Sequence, residues 1–160
     1  MGNRYRKPAL ILLGAVAVAS AISDYRVSGR PEAPLFVGAQ LPHDVRLVIE
    51  RACRDCHSDA THYPWYSYIA PVSWLVNRDV QQGRQRLNLS KWSDYPVIRR
   101  ERSLSDIANQ VQSGGMPLAI YTFVHRDAKL SKPEVDAIFE WTQAERLRLI
   151  LERADSADSR

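Results

Sequence analysis

Apolar positions recur at helical spacing in four stretches of the chain. The first begins at Pro42 and carries apolar residues at the spacing of one helix face: Val45, Val48, Ile49, Ala52 and Cys56. The second runs from Pro71 to about Arg86, with Pro71 tolerated in the first turn and four residues expected inward: Val72, Leu75, Val76 and Val80.

The third and fourth stretches carry recognisable start signals. Ser103 is the predicted N-cap of the third helix, Gly114 its end, and one face is apolar: Leu104, Ile107, Ala108 and Val111. The fourth opens with a capping box at Ser131 and Glu134, and its apolar residues reach the end of the domain: Val135, Ile138, Phe139, Thr142, Leu149 and Ile150. No stretch predicts a strand, so we expect an all-α domain of about four helices.

The N-terminal segment differs from these amphipathic stretches. Arg4, Arg6 and Lys7 precede an uncharged, mostly aliphatic run from Ala9 to Ile22, which is typical of an export signal. An A-x-A site at residues 19–21 permits cleavage, whereas an uncleaved segment would serve as a membrane anchor. We therefore expect a periplasmic protein, either soluble after cleavage or anchored to the inner membrane.

Four regions follow from this pattern. Residues 1–22 are the signal peptide or anchor, and residues 23–40, with scattered Pro and Gly and no sustained period, are a predicted linker. Residues 41–152 form the predicted domain, and residues 153–160 a charged, disordered tail.

Composition narrows the function classes. In 160 residues, 45% are hydrophobic and 25% charged, which is typical of a globular protein and excludes long disorder or a polytopic membrane bundle. The net charge is +4, but three of those excess positives lie at the N-terminus, so the chain offers little support for a nucleic-acid partner.

The two cysteines carry the main chemical signal. Cys53, Arg54, Asp55, Cys56 and His57 spell CxxCH, in which two thiols can add to the vinyl groups of one haem and the following histidine ligates its iron. A redox-active dithiol is one alternative, although it usually occurs in a βαβ setting. A zinc site that adds His62 is the other. We expect one covalent haem c.

The second axial position of the iron has two candidates. Met116 follows Gly114 and Gly115 and precedes Pro117, a setting from which its thioether could approach a flat cofactor. His125 is the alternative distal ligand, and Met116 would then be core filler. The choice matters because His/Met ligation raises the reduction potential relative to His/His.

Other side chains near the CxxCH segment have structural explanations as well as functional ones. Half of the chain's fourteen aromatic residues lie between positions 63 and 95, and Trp65 and Trp74 could line a haem crevice or simply pack in the core. Arg84 and Arg86 could neutralise propionates, but a solvated helix end is the simpler expectation. His43 and His62 are expected on the surface.

These blocks together resemble a known family. CRDCHSDATHYPWYSYIAPVSWLV, GRQRLNLSKW, GGMPLAIYTFVHRDAKLS and a final helix with Trp141 are similar to the bacterial haem-binding domain family, whose members carry CxxCHS, YPWY, MPL and YxxxH in that order. The resemblance covers roughly residues 41–145. It implies an exported, cytochrome c-like helical domain with haem attached at Cys53 and Cys56, His57 axial and Met116 the distal ligand.

The function expected from the residues and the resemblance is electron transfer. One c-type haem would carry single electrons between membrane-associated redox proteins, with no catalytic residue. Two alternatives stay open: a haem enzyme or gas or redox sensor with an open sixth iron position, and a haem subunit of a larger respiratory complex.

Overall fold

The chain folds into α-helices joined by short turns. The computed structural model describes residues 6–22 and 34–158, and the side chains of residues 6, 7, 21 and 22 are not described. The α-helices in these ranges are α1 (Arg6–Ile22), α2 (His43–Ala52), α3 (Arg54–His57), α4 (Val72–Arg86), α5 (Val97–Gln112), α6 (Ala119–Val124) and α7 (Lys132–Asp158). The described ranges contain no strand, which confirms the all-α prediction.

The main core lies between α5 and α7. These two helices pack along each other, and three residues of the predicted α5 face are buried, Leu104, Ala108 and Val111, while Ile107 is partly buried. The most deeply buried apolar side chains of this interface are Leu104, Ala108, Ile138 and Leu149. One half of the predicted capping box at α7 is present, since the Ser131 backbone N–H donates to Glu134 Oε2 at 2.8 Å.

The segment before α2 belongs to this core. Phe36 is 2% exposed, and its ring meets Trp92 at 4.7 Å and Trp141 at 5.0 Å between centroids. Its backbone N–H donates to Leu89 O at 3.0 Å. The predicted linker is therefore wrong for residues 34–40, because two adjacent apolar residues, Leu35 and Phe36, are buried there. Residues 23–33 of that linker lie outside the described residues.

Two helix boundaries differ from prediction. Helix α5 begins at Val97, six residues before the predicted N-cap, and Ser103 is buried inside it. Pro96 explains the earlier start, because its carbonyl accepts from the backbone N–H groups of Arg99 and Arg100. Gly114 ends the helix as predicted, at φ +70°.

Helix α7 extends through most of the predicted tail. It reaches Asp158, and Arg153 pairs with Glu101 of α5 at 3.0 Å, which ties the added turns to the domain. A disordered tail from residue 153 is therefore wrong as far as Asp158, and residues 159–160 lie outside the described residues.

The N-terminal helix α1 covers the apolar run from Ala9 to Ile22. Residues 1–5, which include Arg4 of the predicted signal, lie outside the described residues. Among the helices described, none combines the length and apolar character needed to cross a membrane.

Candidate functional site

The CxxCH segment forms a short helix of its own. Helix α2 ends at Ala52, and Cys53 leaves helical geometry at φ −123° and ψ −30° before α3 begins at Arg54. The single continuous helix predicted from Pro42 to Cys56 is therefore broken at Cys53. The His57 backbone N–H donates to Cys53 O at 3.0 Å, which closes one turn around both cysteines.

The two thiols are free and half-buried. Burial raises the pKa of Cys53 to about 12, and that of Cys56 to about 11. Thiols with such pKa values stay protonated at neutral pH, whereas redox-active dithiols depend on a stabilised thiolate. The electrostatics therefore disfavour the redox dithiol alternative.

The imidazole of His57 is fixed in orientation by the chain beyond α4. Its Nδ1 lies 3.0 Å from the backbone oxygen of Leu87. Because a carbonyl can only accept, Nδ1 carries the proton and Nε2 keeps its lone pair. Burial lowers the pKa of His57, which favours the neutral ring. A neutral histidine whose Nδ1 is anchored and whose Nε2 keeps its lone pair is the form that ligates a metal.

Helix α4 approaches the CxxCH segment closely at Gly83. A Cβ placed on Gly83 would lie 2.5 Å from the backbone oxygen of Cys56. Only glycine permits this contact. The buried face of α4 carries Gly83 together with Ser73 and Val80. The predicted inward Val72 is exposed instead, because this face turns toward α3.

Arg84 fixes the loop that follows His57. Its Nε donates to Ser58 O at 2.7 Å and its second guanidinium nitrogen to Thr61 Oγ1 at 2.9 Å. The side chain is only 9% exposed and lies 4.0 Å from Asp59. The expectation that both arginines are solvated at the helix end is therefore wrong for Arg84, whereas Arg86 is exposed as expected.

Asp55, between the two cysteines, connects the CxxCH segment to α6. Its Oδ2 accepts from the Tyr121 hydroxyl at 3.1 Å, and its Oδ1 accepts from the His62 backbone N–H at 3.1 Å. Burial, together with the Asp55 carboxylate, raises the pKa of the Tyr121 phenol above its ordinary value. The phenol therefore stays protonated and donates a hydrogen bond to the carboxylate.

The two candidate distal ligands have different surroundings. His125 ends α6, stacks on Tyr121 at 4.4 Å between ring centroids, and has its Nε2 2.5 Å from the Tyr66 hydroxyl. Met116 is half-buried in the turn before α6, and its backbone N–H donates to Gln110 O at 3.1 Å. Among the hydrogen bonds of the described residues, none joins Met116 to the CxxCH segment. Its thioether makes no hydrogen bond there either.

Large apolar side chains near the CxxCH segment are exposed. Trp65 is 76% exposed, Trp74 55% and Phe123 75%. Trp74 lies on α4, which contacts α3, Trp65 lies in the turn that packs on α4, and Phe123 lies on α6, whose Tyr121 contacts Asp55. Because Trp65 and Trp74 are exposed, they are not core residues. Of the two expectations for them, a position lining a haem crevice is the one that remains. Exposed apolar surface of this extent is typical of a region that a ligand or a partner covers.

The donor set fits a haem better than a zinc ion. Two neighbouring thiols, an imidazole whose Nε2 keeps its lone pair and an apolar surface match the groups that hold a porphyrin. In the part of the chain that the structure describes, no group of three or more His, Cys, Asp or Glu side chains is arranged to hold a metal ion. The zinc alternative has no geometric support. The expected surface positions of His43 and His62 are confirmed.

Fold and site together define an all-helical protein suited to a flat, apolar metallocofactor. The chain belongs to the haem-binding domain family, whose model matches residues 11–144. This membership confirms the resemblance at the level of the family and supports haem as the cofactor. No curated protein and no solved structure matches the chain.

The sequence analysis did not assign a role to several residues of the site. Leu87 contributes through its backbone oxygen, which no motif records. Gly83 could have been noticed as an isolated glycine within a helical stretch, a pattern that often marks close packing. Asp55 and Tyr121 lie far apart in sequence, and only the fold brings them together.

Proposed function

We propose that this protein is an exported c-type haem protein, with a cytochrome c-like site, that carries single electrons. One haem is attached through Cys53 and Cys56, and His57 is its proximal ligand. The observation that carries the proposal is the His57 ring: Leu87 O holds its Nδ1, so its Nε2 keeps the lone pair, and the ring directly follows two free cysteines. When bound, haem supplies a reversible one-electron couple.

Met116 is the proposed distal ligand. The Tyr66 hydroxyl occupies Nε2 of His125, whereas no hydrogen bond of the described residues engages the Met116 thioether. The role of the chain is then to hold two axial ligands and to exclude water from the iron. A closed site of this kind favours electron transfer over substrate binding.

The proposed location is the periplasm, with residues 1–22 acting as a cleaved signal or an inner-membrane anchor. Membrane-associated redox proteins are the proposed partners. The uncharged run after Arg4, Arg6 and Lys7 supports export, and covalent haem attachment takes place outside the cytoplasm.

Two variants test the proposed ligation in protein matured with a c-type haem attachment system. Met116→Ala should change the visible spectrum and make the reduced iron bind carbon monoxide readily, while the wild type resists it. His125→Ala should keep the wild-type Met-ligated spectrum. An unchanged spectrum in Met116→Ala would exclude Met116 as ligand, and rapid carbon monoxide binding by the wild type would instead support an open-site enzyme or sensor.

A further inference from the structure

Three separated sequence blocks meet in one line of side-chain contacts. Asp55 of the CxxCH segment accepts from the Tyr121 hydroxyl at 3.1 Å. Tyr121 stacks on His125 with a ring angle of 23°, and His125 lies 2.5 Å from the hydroxyl of Tyr66 in the turn Trp65–Tyr68. Helix α6 is therefore attached at two points to the part of the chain that carries the cysteines.

These contacts join α6 to the part of the domain that carries the cysteines. The helix has six residues, none of them buried, and Ile120, Phe123 and Val124 are exposed. A helix this short is not stable by itself, because nucleation outweighs so few backbone hydrogen bonds. With little apolar burial of its own, α6 is positioned by the contact of Tyr121 with Asp55 and by the turn Arg126–Ala128 that follows it, which packs on α2.

We propose that Asp55, Tyr66 and Tyr121 form a clamp: Asp55 and Tyr121 position the Met116 turn, and Tyr66 keeps His125 from the iron; this rests on the proposed function. Tyr121, attached to Asp55, holds the helix that follows Met116 against the CxxCH segment. The Tyr66 hydroxyl lies at Nε2 of His125, one of the two ring nitrogens through which that histidine could compete with Met116. Asp55, Tyr66 and Tyr121 are thus positioning residues that set which distal ligand the site receives.

Hydrogen exchange and spectroscopy on the haem-loaded protein test the clamp. Tyr66→Phe and Tyr121→Phe each remove one hydrogen bond, and amide exchange in residues 119–125 should become about fivefold faster. Loss of the Tyr66 contact should also convert part of the protein from a Met-ligated to a bis-histidine spectrum. Adding His125→Asn to Tyr66→Phe should abolish that bis-histidine fraction, which a merely structural role of Tyr66 would not explain.

His43→Gln is the matched control, because His43 is exposed at the start of α2 and should leave both readouts unchanged. Unchanged exchange in residues 119–125 and an unchanged spectrum in Tyr66→Phe would overturn the clamp. Failure of the proposed function has a different signature: the wild type itself would lack covalent haem or bind carbon monoxide readily. In that case the exchange rates alone decide whether the clamp exists.

Discussion

Gly83 sets how closely α4 approaches the cysteine-bearing segment. Any side chain at this position meets the Cys56 backbone, which cannot move without shifting the segment that carries His57. His57 is in turn oriented by the chain just beyond the same helix, at Leu87. The position of the ligand therefore depends on a residue without a side chain.

Gly83→Ala should lower the free energy of unfolding by about 1–3 kcal/mol, as overpacking does in close contacts. Alanine favours a helix by about 1 kcal/mol over glycine, so without the clash with Cys56 the substitution would stabilise. Denaturant unfolding measures the change.

Gly115→Ala is the control for that substitution. The atom that its Cβ would meet is Gln110 Oε1, at the end of a flexible side chain that can move away. Its effect should stay within about 0.5 kcal/mol. Equal stability of Gly83→Ala and the wild type would show that the contact with Cys56 is not tight.

Local motifs single out residues whose chemistry is contiguous in sequence. The spacing of Cys53, Cys56 and His57 predicts them as site residues, and the structure places them on one short turn. The residues that contact this segment cannot be predicted from such a motif. Leu87 acts through its backbone oxygen, and Tyr121 reaches Asp55 across 66 positions. Arg84 was misjudged for the same reason, since its acceptors lie in a distant loop.

Among the helices, the start of α7 shows how one carboxylate joins two elements. Glu134 accepts from the Ser131 backbone N–H and lies 2.6 Å from Arg51 of α2. These contacts, the Ser131 N–H first, hold the pKa of Glu134 below its ordinary value. The carboxylate therefore contributes to stability in its charged form.

Glu134→Gln should lower the free energy of unfolding by about 0.5–1 kcal/mol at pH 7. The native pKa is lowered, so the contribution is complete above the unfolded value of about 4.3 and is lost as pH falls through the native pKa. The difference between wild type and variant should shrink accordingly in urea unfolding below about pH 4. A difference that does not change with pH would contradict the role of the charge.

Asp136→Asn provides the comparison. Asp136 pairs with Lys132 on the exposed face of the same turn, at 2.8 Å. Exposed pairs of this kind contribute little, so the variant should stay within about 0.5 kcal/mol of the wild type.

Helix existence was more predictable than helix limits. The apolar periodicity of α5 and α7 identified both core helices, because their buried faces are long and regular. The helices α3 and α6 are too short to show an apolar periodicity and are fixed by tertiary contacts. No sequence pattern therefore predicts them as separate helices. The burial of Phe36 was missed because proline and glycine around it are typical of a linker.

On the scale of the whole molecule, the domain divides into a core and a site. The α5–α7 pair and the rings of Phe36, Trp92 and Trp141 form the core. The CxxCH segment, α4 and α6 form a less buried region with exposed tryptophan and phenylalanine side chains. Family membership supports haem binding, and exposed apolar side chains of this kind are typical of a region that a ligand or a partner covers.

The mass of the mature protein tests the covalent haem most directly. Wild-type chain produced with a c-type maturation system and unfolded before mass spectrometry should carry one added haem. Cys53→Ala with Cys56→Ala should show the polypeptide mass alone. A wild-type mass without haem, from correctly exported and matured protein, would contradict the account.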